Sequence, residues 1–182
     1  MLNVNLYCEG KPDIESAFEN ADFSKGRKGW FFEKKLSKKL ESVLAEFHED
    51  TYSYQLTFSG NLTFEDYELI HEAIHLLAEE LPAEVDDKKA LMGYLENGEK
   101  AFIYHQWKEW KAYLLQAKHV SMEGQKVKVQ KGENSWQGIL LHYSSHIKNE
   151  KFRVTECTIL GTEGEVRVQG EELVLTPTGE FM

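Results

Sequence analysis

Apolar and polar residues alternate in two short stretches of the N-terminal half. Residues 2–8 alternate within LNVNLYC, and residues 52–58 alternate within YSYQLTF. A period of two places successive side chains on opposite faces of an extended chain, so each stretch is predicted to form a strand. Between them, Pro12 can begin a short helix over residues 13–20. Glycines among basic residues then predict a loop over residues 21–30.

Two further stretches have the helical period. Apolar residues over 31–48 recur at intervals of three or four positions, which predicts an amphipathic helix. The same spacing continues from residue 63 to residue 81, where Pro82 ends the pattern. Thr63 and Asp66 resemble a capping box, in which each residue bonds to the backbone of the other. A second amphipathic helix is therefore predicted over 63–81.

The segment that follows Pro82 allows two interpretations. The first has a short helix over 86–96 and a longer helix over 99–117, because Ile103, Trp107, Trp110, Leu114 and Ala117 are spaced by three or four positions. The second is a hairpin with strands over 90–96 and 99–105, joined by an Asn-Gly turn. The helical spacing favours the first interpretation.

The pattern changes after residue 118. Five short β-branched runs alternate with glycine and asparagine turns: QKVKVQ, WQGILLHY, FRVTECTIL, EVRVQG and EELVLTP. This density of short strands is typical of a small antiparallel barrel. The predicted fold is thus α+β, with a mixed αβ layer over 1–117 and a β-barrel-like module of SH3 or OB size over 118–182. No linker separates the two parts, so they are allowed to share a core.

Composition indicates a globular protein of the cytoplasm. Apolar residues make up 41% and charged residues 29% of the 182 positions, which argues against disorder. No apolar run reaches the roughly 20 residues that a membrane helix needs. The N-terminus lacks the basic start of a signal peptide. The two cysteines, Cys8 and Cys157, are distant in sequence and do not predict a disulfide framework.

The net charge of −10 conceals a segregation of charge along the chain. Residues 25–39 hold seven basic residues and one acidic residue, whereas residues 40–99 hold 15 acidic and two basic residues. A clustered negative surface attracts a basic protein partner or a cation. The alternative is that these acidic residues simply lie on solvent-exposed faces of helices and contact no partner. The residues expected to contact a partner are Glu65, Glu68, Glu79, Glu80 and Trp136, the last at the rim of the β-module.

A metal-site pattern lies within the predicted 63–81 helix. The segment His71-Glu72-Ala73-Ile74-His75 matches H-E-x-x-H, in which two imidazoles one turn apart bind zinc and the glutamate acts as general base. Over about ten residues this segment resembles the zincin metallopeptidases. The resemblance implies that His71 and His75 are zinc ligands and that Glu72 is catalytic.

The third zinc ligand has no motif of its own. Glu96 and Glu99 follow His75 at a spacing suited to a glutamate on a later helix, and His105 is another candidate. The alternative is a structural one: His71 packs at the edge of the core and His75 lies in solvent. We expect no cofactor. Zinc would be bound only if His71 and His75 do not have these structural roles.

The basic 25–39 stretch also contains Trp30, Phe31 and Phe32, which could stack on bases beside a phosphate-binding loop. The alternative places these aromatic residues in the core. Because the whole chain is acidic, nucleic-acid binding is less expected than protein binding.

These observations predict a non-enzymatic, acidic binding protein that docks to or inhibits a macromolecular partner, as immunity proteins and phage-encoded inhibitors do. A zinc-dependent hydrolase is the alternative, and nucleic-acid binding through residues 25–39 is the second alternative. No membrane partner is expected.

Overall fold

The computed structural model describes residues 1–8, 13–37, 42–148 and 151–179. The chain divides into two compact units, Met1–Trp107 and Lys108–Met182. The described elements, in chain order, are β1 (Leu2–Cys8), α1 (Ile14–Asn20), β2 (Phe23–Lys25), β3 (Trp30–Phe32), β4 (Leu44–His48), β5 (Ser53–Phe58), α2 (Phe64–Glu80), β6 (Ala83–Lys89), β7 (Leu91–Tyr94), β8 (Lys100–Phe102), α3 (Trp107–Val120), β9 (Lys126–Lys131), β10 (Asn134–Lys148), β11 (Lys151–Gly161) and β12 (Gly164–Pro177).

The first unit contains a six-stranded antiparallel sheet in the order β2-β3-β4-β5-β1-β6. The two strands that alternation predicts, β1 and β5, are neighbours inside the sheet, and Val4 lies opposite Leu56. Val4, Leu6, Leu56 and Phe58 are fully buried. The polar positions between them point to the other face, as the period of two requires.

Helix α1 covers one end of this sheet. Asp13 caps the helix by accepting a hydrogen bond from the Ser16 backbone. Phe18 projects from it into the core, where its ring stacks on Trp30 and meets Phe23 edge-on. The short helix is thus held by aromatic packing, since seven residues are too few to be stable alone.

Helix α2 is the longest helix among the described residues. It begins at the capping box that the sequence predicts: Thr63 Oγ1 accepts from the Asp66 backbone N–H at 3.3 Å, and Asp66 Oδ2 accepts from the Thr63 N–H at 3.1 Å. Ile70, Ile74 and Leu77 face the core and are at most 1% exposed. Burial of one apolar face is what stabilises an amphipathic helix of this length.

The predicted helix over 31–48 is wrong. Its described residues form β3 and β4, which pair with each other, and β4 also pairs with β5; residues 38–41 lie outside the described residues. Phe32, Leu36 and Val43 are buried, as the helical pattern requires. Their spacing is equally compatible with two strands and a connection, and the hairpins that β3 forms with β2 and β4 forms with β5 decide between the two structures. The predicted loop over 21–30 contains β2 for the same reason.

The predicted helix over 86–96 is also wrong. Residues 83–89 form the edge strand β6, which pairs with β1, and residues 91–94 form β7. The hairpin interpretation is confirmed here, because β7 pairs with β8 around a turn with Gly98 at φ +82°. The helix predicted over 99–117 exists only from Trp107 onward and continues to Val120.

The second unit contains α3 and four antiparallel strands whose pairing closes on itself, β9 to β10 to β11 to β12 and back to β9. Its core includes Val127, Leu140, Cys157 and Ile159. Five strands were predicted, but the last two are one strand, β12, which continues through Gly170. The α+β class with antiparallel sheets is confirmed. No helix in the described part of the chain is both long and apolar enough to cross a membrane.

Candidate functional site

The outer face of α2 carries a row of carboxylates. Successive residues of a helix are 100° apart, so Glu65, Glu68, Glu72 and Glu79 project within about 60° of one another over a length of about 21 Å. Glu65, Glu72 and Glu79 are exposed and Glu68 is half-buried. We call these four residues the acidic stripe. It lies opposite the buried face of α2, so the packing of the first unit holds it toward solvent.

Three of the five predicted partner-binding residues belong to the acidic stripe, and two do not. Both carboxylate oxygens of Glu80 accept hydrogen bonds from the Asn20 side chain, at 3.1 and 3.0 Å. Trp136 is half-buried and packs against the core of the second unit. Both side chains thus make contacts within their own units. Glu72, which the sequence proposes as a general base, also belongs to the stripe.

The first histidine of the H-E-x-x-H segment is held by two contacts. Its Nδ1 lies 2.7 Å from the Ile103 carbonyl oxygen; since a carbonyl only accepts, the proton must be on Nδ1. The His71 ring stacks on Trp107 with centroids 5.0 Å apart, and Phe64 stacks on Trp107 in turn. His71 is half-buried in this aromatic stack.

The second histidine lies one turn further along α2. His75 Nδ1 is 3.4 Å from Glu79 Oε1, and its ring centroid is 6.0 Å from that of His71. The His75 ring also meets Tyr104 at 5.8 Å. The two imidazoles are thus neighbours on one side of the helix, as their spacing requires.

The candidate third ligands lie elsewhere in the first unit. Glu96 and Glu99 are exposed at the turn between β7 and β8, and His105 is hydrogen-bonded to Asp87. No three His, Cys, Asp or Glu side chains among residues 1–8, 13–37, 42–148 and 151–179 are grouped to hold a metal ion. Two imidazoles do not complete a zinc site, which needs three protein ligands.

A buried carboxylate that sequence analysis missed lies beneath His105. Asp87 is 2% exposed. Its Oδ2 accepts the backbone N–H groups of Tyr104 and His105 at 2.8 and 2.9 Å, and its Oδ1 lies 2.7 Å from His105 Nδ1. Asp87 thereby fixes the connection between β8 and α3 and orients a half-exposed imidazole. No local sequence signal predicts this arrangement, because the partners are 17 and 18 positions apart.

Two of the three aromatic residues of the basic stretch are buried, and Phe31 is half-buried. Trp30 and Phe32 are 7% and 6% exposed. Lys34 pairs with Asp22 at 2.8 Å, and Lys25 pairs with Glu15 at 3.2 Å. Lys38 and Lys39 lie outside the described residues. The described aromatic residues of this stretch therefore contribute mainly to the core.

The cysteines are not placed for nucleophilic chemistry. Both Cys8 and Cys157 are free thiols. Burial, and to a lesser degree the charge of Glu156, raises the pKa of Cys157 to about 11; burial also raises the pKa of Cys8. A thiol with a raised pKa holds little of the reactive thiolate at neutral pH.

No protein-family model matches the chain, and no curated protein is significantly similar to it. Solved structures of biotin protein ligase from Aquifex aeolicus show a weak similarity. The complex with biotin and ATP aligns with 90% of this chain and 67% of the ligase chain, at 14% identity and a TM-score of 0.25. The apo structure aligns with 90% and 70%, at 14% identity and a TM-score of 0.24. At these scores the similarity assigns neither a fold nor a function.

Proposed function

We propose that the protein is a non-enzymatic, acidic binding protein that docks to or inhibits a basic macromolecular partner, in the manner of immunity proteins and phage-encoded inhibitors. The observation that carries the proposal is the acidic stripe. Four carboxylates on one face of a helix produce a negative potential that attracts a basic surface and accelerates its association. The apolar face of the same helix is buried, so the charged surface is held on a rigid element.

The test is a pair of matched charge reversals. Glu72→Lys with Glu79→Lys reverses the middle and end of the stripe, away from the first turn of α2, where acids stabilise the helix. Glu163→Lys with Glu165→Lys makes the same change of net charge on exposed residues of the second unit. We expect the first pair to lower the association rate of a captured partner by about tenfold and the control pair to lower it much less.

The measurement is affinity capture with the wild-type protein, followed by association kinetics of the captured protein with each variant. Circular dichroism of every variant checks that the helices persist. If the association rate falls equally for the two double variants, the effect comes from net charge alone. Unchanged rates in both would remove the acidic stripe from the interface.

Zinc-dependent hydrolysis is the second prediction. His71, with its proton on Nδ1, carries the lone pair on Nε2, the form that zinc ligands adopt. A third ligand is missing from the described residues, so the residues present do not fit the metal, and no catalytic step follows from them. We expect the purified protein to hold far less than one equivalent of zinc by elemental analysis. One tightly bound equivalent, lost in a His71→Ala and His75→Ala double variant, would favour the hydrolase.

Nucleic-acid binding through the basic stretch also stays a prediction, and one comparison separates it from protein binding. Lys34→Ala with Lys35→Ala removes two exposed cations, which weakens a nucleic-acid partner by loss of phosphate contacts. A partner that tolerates reversal of the acidic stripe but is lost on this neutralisation would favour nucleic acid.

Three further predictions concern the architecture of the second unit, the domain boundary and the cellular location. We propose that the closed ring of strands in the second unit is a barrel of SH3 or OB size, since its four strands occupy little more than 50 residues. A domain boundary at residues 117 and 118 stays a prediction, and so does a cytoplasmic location. Limited proteolysis of the full chain would report the boundary.

A further inference from the structure

A row of aromatic rings leads from the core of the first unit to the turn between β4 and β5. Phe18 is fully buried, and its ring centroid lies 4.9 Å from that of Tyr54, which is 9% exposed. Phe47 lies directly opposite Tyr54 in the sheet and meets it at 5.0 Å. Tyr52 in turn meets Phe47 at 5.5 Å. Phe47 and Tyr52 are 43% and 51% exposed, so the row ends in solvent.

The two exposed rings form a corner that is ordered by the rings beneath it. Their planes are 83° apart, so the edge of one ring meets the face of the other. Phe47 is held from below by the cross-strand contact with Tyr54, which is the kind of pair that stabilises a sheet. A surface that is already ordered loses little conformational entropy when a ligand binds. We call Phe47 and Tyr52 the aromatic corner.

The backbone of Tyr52 is strained. Its φ is +48°, in the left-handed region that glycine and asparagine adopt much more readily than a bulky residue does. The turn is closed by the Tyr52 N–H, which donates to the Glu49 carbonyl at 3.3 Å. Half of the Tyr52 side chain is exposed, so burial alone does not explain a tyrosine at this position. Residues held in such conformations are concentrated at binding sites.

The turn beside the aromatic corner is acidic, and its charges are not used within the described chain. Glu49 and Asp50 are exposed. Within residues 1–8, 13–37, 42–148 and 151–179, neither carboxylate forms an ion pair or a hydrogen bond, and no lysine or arginine lies over the ring of Phe47 or Tyr52. Two open aromatic rings and two carboxylates therefore lie side by side on one exposed turn.

A guanidinium group is complementary to this arrangement. The face of an aromatic ring carries partial negative charge and attracts a cation within about 6 Å of its centroid. Arginine stacks on such a face and also directs its N–H groups to a carboxylate in a bidentate pair, whereas the compact ammonium of lysine does neither. The carboxylates repel an anionic ligand. They also oppose pairing with a second copy of this chain, which would bring two acidic turns together.

We propose that the aromatic corner binds an arginine side chain of a partner protein, with the guanidinium stacked on a ring of the corner and paired with a carboxylate of Glu49 or Asp50. This interaction surface goes beyond the proposed function, because the acidic stripe attracts any basic surface, whereas the corner selects arginine. It uses no residue of the stripe, so the two surfaces can fail separately in experiments.

The first test compares three end-blocked peptides that differ at one position. GSRSG carries arginine, GSKSG carries lysine, and the third peptide carries citrulline, the uncharged planar isostere of arginine. Each is titrated into the full chain at 0.15 M salt, and NMR shifts of residues 47–52 report binding. We expect the arginine peptide to bind at least about fivefold more tightly than the citrulline peptide and about threefold more tightly than the lysine peptide. Equal binding of arginine and either control, or shifts confined to other residues, overturns the proposal.

Variants of equal net charge separate the aromatic contact from general attraction of a cation. Tyr52→Asn removes the ring and places a residue that tolerates the left-handed backbone. Tyr52→Phe is the matched control, because it keeps the ring. We expect Tyr52→Asn and the second variant Phe47→Leu to lose the preference for arginine over citrulline, and Tyr52→Phe to keep it. Retention of the preference in both ring-deleted variants, or its loss in Tyr52→Phe, overturns the proposal.

Two charge variants complete the test. Glu49→Gln with Asp50→Asn should weaken GSRSG about threefold and leave the citrulline peptide unchanged. Glu72→Lys with Glu79→Lys on α2 should keep the ratio of arginine to citrulline binding within about twofold of wild type, because it alters neither the rings nor the turn. Sedimentation tests the second copy: a wild-type dimer that Tyr52→Asn dissociates would overturn the proposal in favour of self-association.

Discussion

The Asp66 side chain connects two segments of the first unit that are distant in sequence, the one that contains Ser37 and the start of α2 at Thr63. It is 4% exposed and accepts hydrogen bonds from the Ser37 backbone N–H at 2.8 Å, from the Ser37 hydroxyl and from the Thr63 backbone. Burial alone raises the pKa of Asp66, but the bonds from Ser37 and Thr63 outweigh it and hold the pKa below its usual value. The ionised carboxylate is therefore the form that the folded state favours.

We expect Asp66→Ala to lower the free energy of unfolding by about 2–3 kcal/mol, because it removes one of the two hydrogen bonds of the capping box and leaves buried donors without an acceptor. The measurement is urea unfolding followed by circular dichroism. Glu65→Ala is the matched control: it changes the adjacent exposed carboxylate and should cost less than about 0.5 kcal/mol. A similar loss in the two variants would contradict the role given to Asp66.

The same residue predicts a dependence of stability on pH. A carboxyl with a lowered pKa in the folded state contributes stability that is fully present above its unfolded pKa, about 3.9. That stability is lost as the pH falls through the lower folded pKa. The difference in unfolding free energy between wild type and Asp66→Asn should hence be constant near neutrality and shrink below about pH 4. A difference that grows on acidification would contradict the assignment.

Among the elements, those whose own residue pattern fits one structure could be predicted, and those whose pattern also fits a different structure could not. The capping box and apolar stripe of α2 lie within one segment, and so do the alternating residues of β1. The acidic stripe could be predicted for the same reason, since helix geometry converts spacing directly into a face. By contrast, β3 and β4 exist because they form hairpins with β2 and β5, and β6 exists because it pairs with the distant β1. Their apolar spacing alone resembles that of a helix, as the segment from Phe32 to Val43 illustrates.

The environment of His105 shows the same limit for the candidate sites. Its partner Asp87 appears in the sequence as one acid among many, and only the packing of residues 104 and 105 against β6 brings the two together. The cleft lined by residues 84–88, Phe102, His105 and Gln106 could not be predicted either, because its two segments meet only in the folded chain. Residues that act through long-range placement carry no local pattern.

The close approach of β10 to β11 depends on a glycine. A Cβ atom added at Gly138 would lie 2.5 Å from the Leu160 carbonyl oxygen and 2.8 Å from its carbon, both of which are backbone atoms. Because no rotamer change can relieve such a contact, we expect Gly138→Ala to destabilise the second unit by about 1–3 kcal/mol.

Hydrogen exchange of amides in β9 to β12, together with urea unfolding, measures this effect. Gly161→Ala is the matched control, since its added Cβ would meet only ordinary contacts at 3.6 and 3.7 Å. That variant should be neutral or slightly stabilising. Equal destabilisation in the two variants would show that loss of chain flexibility, and not the close approach, is responsible.

At the scale of the whole molecule, charge is distributed unevenly along a chain of net charge −10. If the acidic stripe steers a basic partner, the association rate should fall by at least about tenfold as salt rises from 0.01 to 0.15 M, because the Debye length shrinks from about 30 to about 8 Å. The dissociation rate should change less. Stopped-flow kinetics over this range measure both, and a salt-independent association rate would exclude long-range steering.

The closed pairing of β9 to β12 has a consequence for aggregation. Every strand of that ring has two hydrogen-bonded neighbours, so the described part of the second unit offers no whole strand edge on which a foreign chain could grow. Fibrils or amorphous deposits that start from the folded protein should begin at the edge strands of the first unit, which are β2 and β6 in the six-stranded sheet and β7 and β8 in the two-stranded sheet. We therefore expect a lysine or proline substitution on one of these edge strands to keep the concentrated protein in solution. The same substitution in the ring of β9 to β12 should not have this effect.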